Sequence, residues 1–583
     1  MNISSFFSKT GSALTLSLSF GASVMLSSCV SVPSQEKADF QKINMSAWLY
    51  NAEDKVYYQL GLSYASKAAD AKYENLGLFV PASYFDGKEN GDGTYSVTVN
   101  HKSTVSGFTA GTAPFVMPIQ TPGYSALEAP AAYTHDVKQY TDAGFIFVYA
   151  GARGRDHGIP AGVTDFKAAI RYIRHNKELL PGNTKLYFTY GMSGGGAQSA
   201  LMGATGDAPE YEPYLKAIGA VMTESDGVMG SMDWCPITNL NVADAAYEWE
   251  LGVARTKLDD ESKAISDALA KEFALYVNKL GIKDENGNVL KTDQSQDGLY
   301  HGGSYYDYLK GVIETSMNNF LSDTTFPYNA NEQKEALGQN MMLPPGWKPR
   351  GPMGMTRPAP RAEELDGVKR GGSQKGGNVD LSKTYTSAAD YIKALNANEE
   401  WVIYDEKTNT AEITSVEAFM RNVKQVQKNV GAFDDLNESQ PENTLFGLGD
   451  GRSSHFDALM TKVLKELDSP LASDYEEDLA SKDFLGSSME KRNDMYNPMY
   501  YLSPAYNGYK TAKLAKYWRV HAGIFQGDTA ISTELLYSLA LKNYGSEVKS
   551  VDFTEVWGLY HVEAERKGTS TGNFIEWVKA CLQ

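Results

Sequence analysis

The chain has 583 residues, of which 42% are hydrophobic, and its formal net charge is −18. This length and composition support a large core and allow more than one domain, while the acidic balance argues against a nucleic-acid-binding protein. The only cysteines are Cys29, Cys235 and Cys581, which excludes a disulfide scaffold and a cysteine-rich metal site. A single Cys235–Cys581 bridge and two buried free thiols remain alternatives.

The first residues have the pattern of an export signal. Lys9 precedes an apolar and small-residue stretch, 13–26, which is too short and too rich in serine for a stable membrane span. The sequence Leu26-Ser27-Ser28-Cys29 resembles the bacterial lipobox, in which the cysteine becomes the lipid-modified first residue; an ordinary cleaved signal is the alternative. We therefore expect a signal peptide over 1–28 and a tether over 29–45. The predicted location is the bacterial cell envelope, with the lipid anchor as the only membrane contact.

The first half of the chain alternates between strand and helix patterns. Apolar and β-branched runs predict strands at 55–63, 76–81, 95–101, 115–120, 144–150 and 217–222. Helices are predicted over 132–143 and around Phe166, Ile170 and Ile173, with Thr164 or Asp165 as the N-cap of the second. Continuous apolar strands alternating with helices indicate an α/β fold whose central sheet is mainly parallel and covered on both faces.

The segment KLYFTYGMSGGGAQSALMGA at 185–204 predicts a strand, a sharp turn and a helix. A G-x-S-x-G motif is informative in this setting, because the strained turn presents the serine hydroxyl above the end of a sheet. The helix N-terminus also supplies free backbone N–H groups for a developing oxyanion. Ser193 is therefore the candidate nucleophile, and a structural glycine-rich turn is the alternative.

Residues 224–502 interrupt the alternating pattern. They contain helical stretches at 259–279 and 415–428, and a Pro/Gly/Arg-rich piece, Leu343–Gly377, that predicts an irregular loop. The α/β pattern returns after Leu502 with strands at 517–522 and 551–557 and helices at 531–543 and 574–582. We therefore expect a core formed by 46–223 and 503–583, with a mostly helical lid domain, 224–502, inserted over the site.

A serine nucleophile needs an imidazole base and an acid that orients it. His561 follows the last predicted strand, where a base is expected, whereas His521 lies inside a strand and is assigned to the wall of the site. Asp528, in the loop after the preceding strand, is the expected acid, with an N-cap role for the helix at 531 as the alternative. Glu224 and Asp226 are rival acids.

The oxyanion needs two N–H donors at the top of the sheet. Gly194 supplies one as the residue after the nucleophile. The other is expected from the turn after the strand 115–120, at Gly123 or Tyr124.

Several stretches resemble the bacterial tannase and feruloyl-esterase branch of the α/β-hydrolases. They are GMSGGGAQSALMGATGD at 191–207, CPITNLNVADAAYEWE at 235–250, AFDDLNESQPENTLFG at 432–447, YWRVHAGIFQGDTAISTE at 517–534 and VDFTEVWGLYHVEAE at 551–565. The resemblance covers most of the mature chain. It implies an α/β-hydrolase fold with an inserted lid, and a catalytic triad of Ser193, Asp528 and His561, the same residues that the motif and chain order select.

The resemblance also implies residues that contact the substrate. Lys428 and Glu442 fall where the family has a lysine and a glutamate that hold the phenolic hydroxyls of gallate. An ammonium and a carboxylate can donate to and accept from neighbouring phenol groups. Ala530 stands where the family has a second acidic residue, and this departure argues against strict gallate specificity.

The predicted function is a serine carboxylesterase for small-molecule esters of hydroxylated aromatic acids. A serine peptidase of related fold and a non-catalytic binding lipoprotein are the alternatives. We expect no cofactor and no metal, since no histidine and acidic residues have ligand spacing in the sequence. His455 is assigned to the core or the pocket wall, and Cys235 to a buried structural thiol.

Overall fold

The computed structural model describes residues 42–330, 383–424 and 426–583. Residues Phe40–Gln583 form one compact unit. The predicted signal peptide, Cys29 and the Leu343–Gly377 loop lie outside the described residues. Ile43, which the sequence analysis places in the tether, is buried in the core. Its backbone N–H donates to the side-chain oxygen of Asn176 at 3.0 Å. The folded unit therefore includes residue 43.

A nine-stranded sheet runs through the molecule. Its strands lie in the order β1-β2-β3-β9-β8-β10-β11-β16-β17. They are β1 (Leu49–Asn51), β2 (Val56–Ser63), β3 (Asn75–Pro81), β8 (Phe115–Ile119), β9 (Ile146–Ala150), β10 (Tyr187–Met192), β11 (Gly230–Trp234), β16 (Tyr517–Gly523) and β17 (Ser550–Val556). The six strands from β9 to β17 pair in parallel, and β1, β2 and β3 add an antiparallel edge. The predicted mainly parallel sheet is confirmed.

Short antiparallel ribbons lie outside this sheet. They pair β4 (Phe85–Glu89) with β5 (Tyr95–Val99), β6 (Thr104–Val105) with β7 (Phe108–Thr109), β12 (Tyr328–Asn329) with β13 (Thr384–Tyr385), and β14 (Val402–Asp405) with β15 (Thr410–Ile413). The described part of the insertion is otherwise mostly helical.

Helices cover the sheet and form most of the insertion. In the sheet-bearing parts of the chain they are Lys138–Asp142, Ala161–His175, Gly194–Ala204, Glu212–Ala217, Ile531–Asn543 and Ser570–Cys581. Those between β11 and β16 are Leu240–Leu251, Asp260–Leu280, Ser304–Asp323, Ala388–Leu395, Val416–Asn422, Pro441–Phe446, Ala458–Glu466, Ala472–Leu479, Met489–Met495 and Pro498–Leu502. Among the described residues, no helix combines the length and the apolar composition needed to cross a bilayer.

The helix after Ser193 packs closely on the sheet because of a glycine. A Cβ on Gly203 would lie 2.3 Å from the fully buried ring of Trp518 in β16. Burial of an aromatic side chain of this kind stabilises the fold by about 1.5–3 kcal/mol. This contact holds the helix against the strands whose ends carry the candidate site.

The predicted strand at 217–222 is wrong. Glu212–Ala217 is a helix, and Gly219, with φ of 65°, ends it through hydrogen bonds from Gly219 N–H to Lys216 O and from Ala220 N–H to Leu215 O. The sheet strand is Gly230–Trp234, so the sheet-bearing part of the chain extends to Trp234 rather than to 223. This strand is inconspicuous in the sequence because it contains the buried polar residue Asp233, which accepts hydrogen bonds from Ser231 and Tyr537.

Several predicted helix ends also shift. The helix predicted over 132–143 is a 3-10 turn at His135–Val137 followed by Lys138–Asp142. The helix 161–175 begins after Pro160, so neither Thr164 nor Asp165 caps it; Asp165 is instead buried and pairs with Arg153 at 2.7 Å. The helix predicted to reach 428 ends at Asn422, whereas Ile531–Asn543 agrees with the prediction at both ends.

Candidate active site

Ser193 lies in a strained turn between β10 and the helix Gly194–Ala204. Its φ of 60° and ψ of −125° are sterically costly for a residue with a side chain. A Cβ on Gly195 would lie 2.1 Å from the carbonyl oxygen of Ile119, and one on Gly194 would lie 2.6 Å from the amide nitrogen of Tyr124. The flanking glycines therefore allow the turn to fit against the end of β8. The strand, turn and helix predicted around Ser193 are confirmed.

The turn after β8 meets the helix N-terminus at Gly194. Pro122–Tyr124 forms one 3-10 turn, with φ of 55° at Gly123 and 57° at Tyr124. The amide of Tyr124 donates to Thr121 O at 2.9 Å, and Arg155 Nη1 donates to the carbonyl of Gly123 at 2.6 Å. Since the Tyr124 amide is occupied, this geometry favours Gly123 over Tyr124 as the partner of Gly194 in an oxyanion hole.

His561 follows β17, in a loop that packs backbone to backbone on the end of β16. Phe525 N–H donates to Leu559 O at 2.9 Å, and a Cβ on Gly523 would lie 2.0 Å from Tyr560 O. Hydrogen bonds also connect this loop to the turn at Ser193 across the end of β11. Ser193 N–H donates to Trp234 O at 2.9 Å, and the thiol of the next residue, Cys235, donates to Val562 O at 3.2 Å. The loop that carries His561 and the turn at Ser193 therefore contact adjacent residues, Cys235 and Trp234, at the end of β11.

The imidazole of His561 contacts two side chains from the loop after β16. Its Nδ1 lies 2.6 Å from Gln526 Oε1 and 3.8 Å from Asp528 Oδ2. Asp528 is therefore next to the ring, as expected, but Gln526 makes the hydrogen bond that was expected from Asp528. The Gln526 amide group in turn donates to Glu534 Oε1 at 3.3 Å. Since the N-cap of the helix Ile531–Asn543 is Ala530, the capping role considered for Asp528 is wrong.

Sequence reasoning missed Gln526. Its signal is its position, since it begins the loop Gln526-Gly527-Asp528 between a buried strand and a helix. A neutral amide can fix the ring orientation and keep the proton on Nδ1, leaving Nε2 free to accept a proton. Unlike a carboxylate, it adds no charge to stabilise an imidazolium.

The surroundings of His561 shift its basicity in both directions. Burial lowers the pKa of His561, the Asp528 carboxylate raises it, the Lys428 ammonium lowers it and the Glu442 carboxylate raises it, with a net lowering. A lowered pKa keeps the ring neutral and able to act as a base at neutral pH. The same interactions show that Lys428, Glu442 and Asp528 all lie close enough to His561 to affect its charge.

Glu442 and Lys428 approach the site from the insertion. Glu442 lies in the first turn of the helix Pro441–Phe446, and Pro441 Cβ lies 4.0 Å from where a Cβ on Gly123 would be. Glu442 is only 2% exposed, yet within the described part of the chain its Oε2 atom has no hydrogen-bond partner. Lys428 is half-buried, with its Nζ 3.8 Å from the centre of the Phe433 ring. A buried carboxylate oxygen without a donor is costly unless a ligand satisfies it.

Ala530, two residues after Asp528, is buried. Its methyl group offers no acceptor where the resemblance expects an acid. Among the described residues of the insertion, Glu442 is thus an acidic group that acts on His561.

The rival acids are used in ion pairs elsewhere. Asp226 is fully buried and accepts hydrogen bonds from Lys167 at 2.9 Å and from Arg171 at 2.7 Å. Glu224 pairs with Lys177 at 3.0 Å. Asp226 therefore holds the helix Ala161–His175 against the segment before β11, and Glu224 ties the same segment to Lys177, just after that helix.

His521, Cys235 and Cys581 agree with structural roles. His521 is buried in β16 with its ring 3.1 Å from Asp552 and 3.5 Å from Glu565. Cys235 and Cys581 are free thiols, so no bridge joins them. Burial raises the pKa of Cys235, which makes it a poor nucleophile.

Comparison with known proteins shows where this fold occurs. Residues 109–279 match the family model described as BD-FAE. No curated protein matches the chain. The tannase of Fusobacterium nucleatum is 22% identical with a TM-score of 0.66, and the similarity covers 93% of this chain and 99% of that one. The tannase of Lactobacillus plantarum is 23% identical with a TM-score of 0.64, covering 92% and 98%.

Another similar structure is a tannin acyl hydrolase in complex with 3,4-dihydroxybenzoate. It is 24% identical to this chain with a TM-score of 0.64, covering 91% of this chain and 94% of that one. These similarities confirm the predicted α/β-hydrolase fold and, at the level of fold and of the matched segment, the resemblance to tannases and feruloyl esterases.

Proposed function

We propose that this protein is a serine carboxylesterase that cleaves esters of hydroxylated aromatic acids, of gallate or hydroxycinnamate type, through an acyl-enzyme on Ser193. The strained turn at Ser193 and the adjacent loops with His561 and Asp528 support the reaction class. The matched BD-FAE segment and the shared fold support the same class, since the similar proteins are tannases.

Each residue has a role in this reaction. His561 takes the proton of the Ser193 hydroxyl as its oxygen attacks the ester carbonyl, and returns the proton to the departing alcohol. The N–H groups of Gly194 and Gly123 receive the oxyanion. A water molecule, activated by the same imidazole, then hydrolyses the acyl-enzyme. Asp528 stabilises the imidazolium by its charge, and Gln526 holds the ring.

The observation that carries the substrate class is the unpaired oxygen of Glu442. A phenolic hydroxyl can donate to this buried carboxylate and accept from the Lys428 ammonium. The solved tannin acyl hydrolases include complexes with ethyl gallate and with 3,4-dihydroxybenzoate, both hydroxylated aromatics, which agrees with this assignment. An ester without phenol groups would leave both charges unsatisfied.

The decisive experiment compares methyl gallate, methyl ferulate and p-nitrophenyl acetate as substrates. Ser193→Ala should abolish hydrolysis of all three. Glu442→Gln and Lys428→Met should lower kcat/KM for methyl gallate by about 10- to 100-fold, the value of a hydrogen bond to a charged group. Hydrolysis of p-nitrophenyl acetate should change little, and Glu466→Gln, an exposed change in the insertion, is the control. Equal loss on all three substrates would contradict the phenol-binding role.

The same protein can be tested for the other two functions. Cleavage of peptides in preference to the esters would favour a peptidase. A chain that hydrolyses nothing and does not react with a fluorophosphonate probe would be a binding lipoprotein on a hydrolase scaffold.

We further propose that Cys29 carries a lipid that anchors the protein in the bacterial envelope. The lipobox-like sequence Leu26-Ser27-Ser28-Cys29 supports this assignment. Full-length protein expressed in bacteria should incorporate radiolabelled palmitate and fractionate with membranes, while Cys29→Ser should do neither. Cys581→Ser is the matched control. Labelling that persists in Cys29→Ser would place the lipid elsewhere.

A further inference from the structure

The insertion brings together a histidine and two carboxylates that the proposed reaction does not use. The donor atoms of Glu438, His455 and Asp478 all lie within 4.8 Å of one another. We propose that this cluster binds a divalent transition-metal ion, Zn²⁺ or Mn²⁺, and that the ion is structural. This proposal does not depend on the esterase reaction.

His455 is held in the orientation of a metal ligand. Its side chain is only 4% exposed, and its Nδ1 lies 2.7 Å from Asp434 Oδ1. The other oxygen of Asp434 accepts the N–H groups of Phe456 and Asp457, each at 2.7 Å. Both oxygens of Asp434 act as acceptors, so the Nδ1 atom of His455 donates to Asp434 and the Nε2 atom is the one available to a ligand. Metal-binding histidines commonly donate their second ring N–H to a carboxylate in this way.

The second ring nitrogen of His455, Nε2, lies close to the other donors of the cluster. His455 Nε2 lies 3.8 Å from Glu438 Oε1, which is too long for a hydrogen bond. Ligands at about 2.0–2.2 Å from a tetrahedral ion are about 3.4 Å apart, so a small movement of the half-exposed Glu438 side chain would complete the geometry. Asp478 is fixed nearby, because its Oδ2 accepts the backbone N–H of His455 at 2.7 Å. A buried imidazole whose Nε2 lies 3.8 Å from Glu438, in a cluster whose donor atoms all lie within 4.8 Å of one another, is the observation that indicates a ligand.

The charge around this cluster favours a cation. Three carboxylates, those of Asp434, Asp478 and Glu438, lie around His455 and repel one another. A divalent ion would offset this repulsion. One imidazole and carboxylate oxygens suit Zn²⁺ or Mn²⁺ better than Ca²⁺, which prefers six to eight oxygen ligands.

The ion would stabilise the segment that carries Glu442. Asn443, the residue after Glu442, donates from its amide to Asp434 Oδ1 at 2.8 Å, so Asp434 links this helix to His455. Tyr475 closes the other side, since its ring stacks on His455 with centroids 3.6 Å apart. A bound ion would therefore hold the segment from Asp434 to Asn443 in place.

The test measures metal binding by the complete protein prepared without a histidine tag. The protein is stripped with a chelator, and Zn²⁺, Mn²⁺ and Ca²⁺ are titrated separately by calorimetry, with the melting temperature recorded at each end point. We expect one Zn²⁺ or Mn²⁺ per chain and a higher melting temperature. Glu438→Gln and Asp478→Asn should weaken binding by at least about tenfold. Glu477→Gln, an exposed change on the same helix as Asp478, is the matched control and should bind as the wild type does.

The result can also overturn the proposal. Absence of binding would mean that His455 is protonated and simply ion-paired with these carboxylates. Binding that survives in Glu438→Gln and Asp478→Asn would be adventitious binding elsewhere, and preference for Ca²⁺ would contradict the assigned ligand chemistry. Circular dichroism of the stripped variants shows whether they fold, so that a loss of binding can be attributed to the site.

Discussion

At the scale of single residues, His561, the proposed base, contacts two side chains that differ in charge. Gln526 makes the short hydrogen bond to His561, at 2.6 Å, and Asp528 lies 3.8 Å away. Orientation and charge, which one carboxylate usually supplies together, are thus separated in this loop. The two roles can be measured separately, because removing the Asp528 charge should change the pH at which His561 loses its proton, whereas removing the neutral Gln526 amide changes no charge.

The pH dependence of hydrolysis should report this division. Because the pKa of His561 is lowered, the acidic limb of kcat/KM for p-nitrophenyl acetate should lie below pH 6.5. Asp528→Asn removes a charge that raises this pKa, so the limb should move to lower pH. Lys428→Met removes a charge that lowers it, so the limb should move to higher pH, each by up to about one unit. Gln526→Ala should lower kcat about tenfold without moving the limb.

Shifts of the same sign in Asp528→Asn and Lys428→Met would contradict this electrostatic arrangement. Using p-nitrophenyl acetate keeps the phenol-binding role of Lys428 out of the measurement. High salt should reduce both shifts, since it screens the partly exposed charges.

At the scale of elements, the turn at Ser193 depends on the absence of side chains. Gly195 approaches the end of β8 so closely that a methyl group would overlap the carbonyl of Ile119. The turn at Ser193, the strand β8 and the turn Pro122–Tyr124 after it are therefore positioned as one unit. A change at Gly195 should disturb stability and activity together.

Gly195→Ala should lower the free energy of unfolding by about 1–3 kcal/mol, the range for overpacking a close contact, and should reduce kcat. Gly311→Ala is the opposite case. Gly311 lies within the helix Ser304–Asp323, and a Cβ there would meet nothing within 4 Å. It should stabilise the protein by about 0.5–1 kcal/mol and leave kcat unchanged. Denaturant titration and ester kinetics check both variants, and a neutral Gly195→Ala would show that the turn can relax.

At the scale of the whole molecule, the insertion supports the loop that carries Gln526 and Asp528. Tyr247, on the first helix after β11, donates from its hydroxyl to Gly527 O at 2.8 Å. Lys424, further along the insertion, donates to Thr529 O at 3.1 Å. These contacts hold both ends of the segment that carries Asp528. The insertion is thus part of the site's framework and not a detachable cover.

Tyr247→Phe should therefore lower kcat several-fold, because the loop with Gln526 and Asp528 loses a buried hydrogen bond of about 1 kcal/mol. Tyr276→Phe removes a hydroxyl that accepts from Tyr506 at 3.0 Å, away from this loop, and is the matched control. It should cost similar stability and leave kcat unchanged. Equal kcat values for the two variants would show that the insertion does not position the loop.

The sequence by itself determined the features that depend on neighbouring residues. Ser193 could be placed because a strained turn needs glycines at adjacent positions, and the helix Ile531–Asn543 because its pattern is continuous. The strand Gly230–Trp234 could not, because its Asp233 is satisfied by Ser231 and by the distant Tyr537. Likewise, only the tertiary structure decided that Gln526 contacts His561 and that His455 faces Glu438 and Asp478. Such contacts join residues far apart in the chain, and no local pattern or spacing records which side chains the fold will bring together.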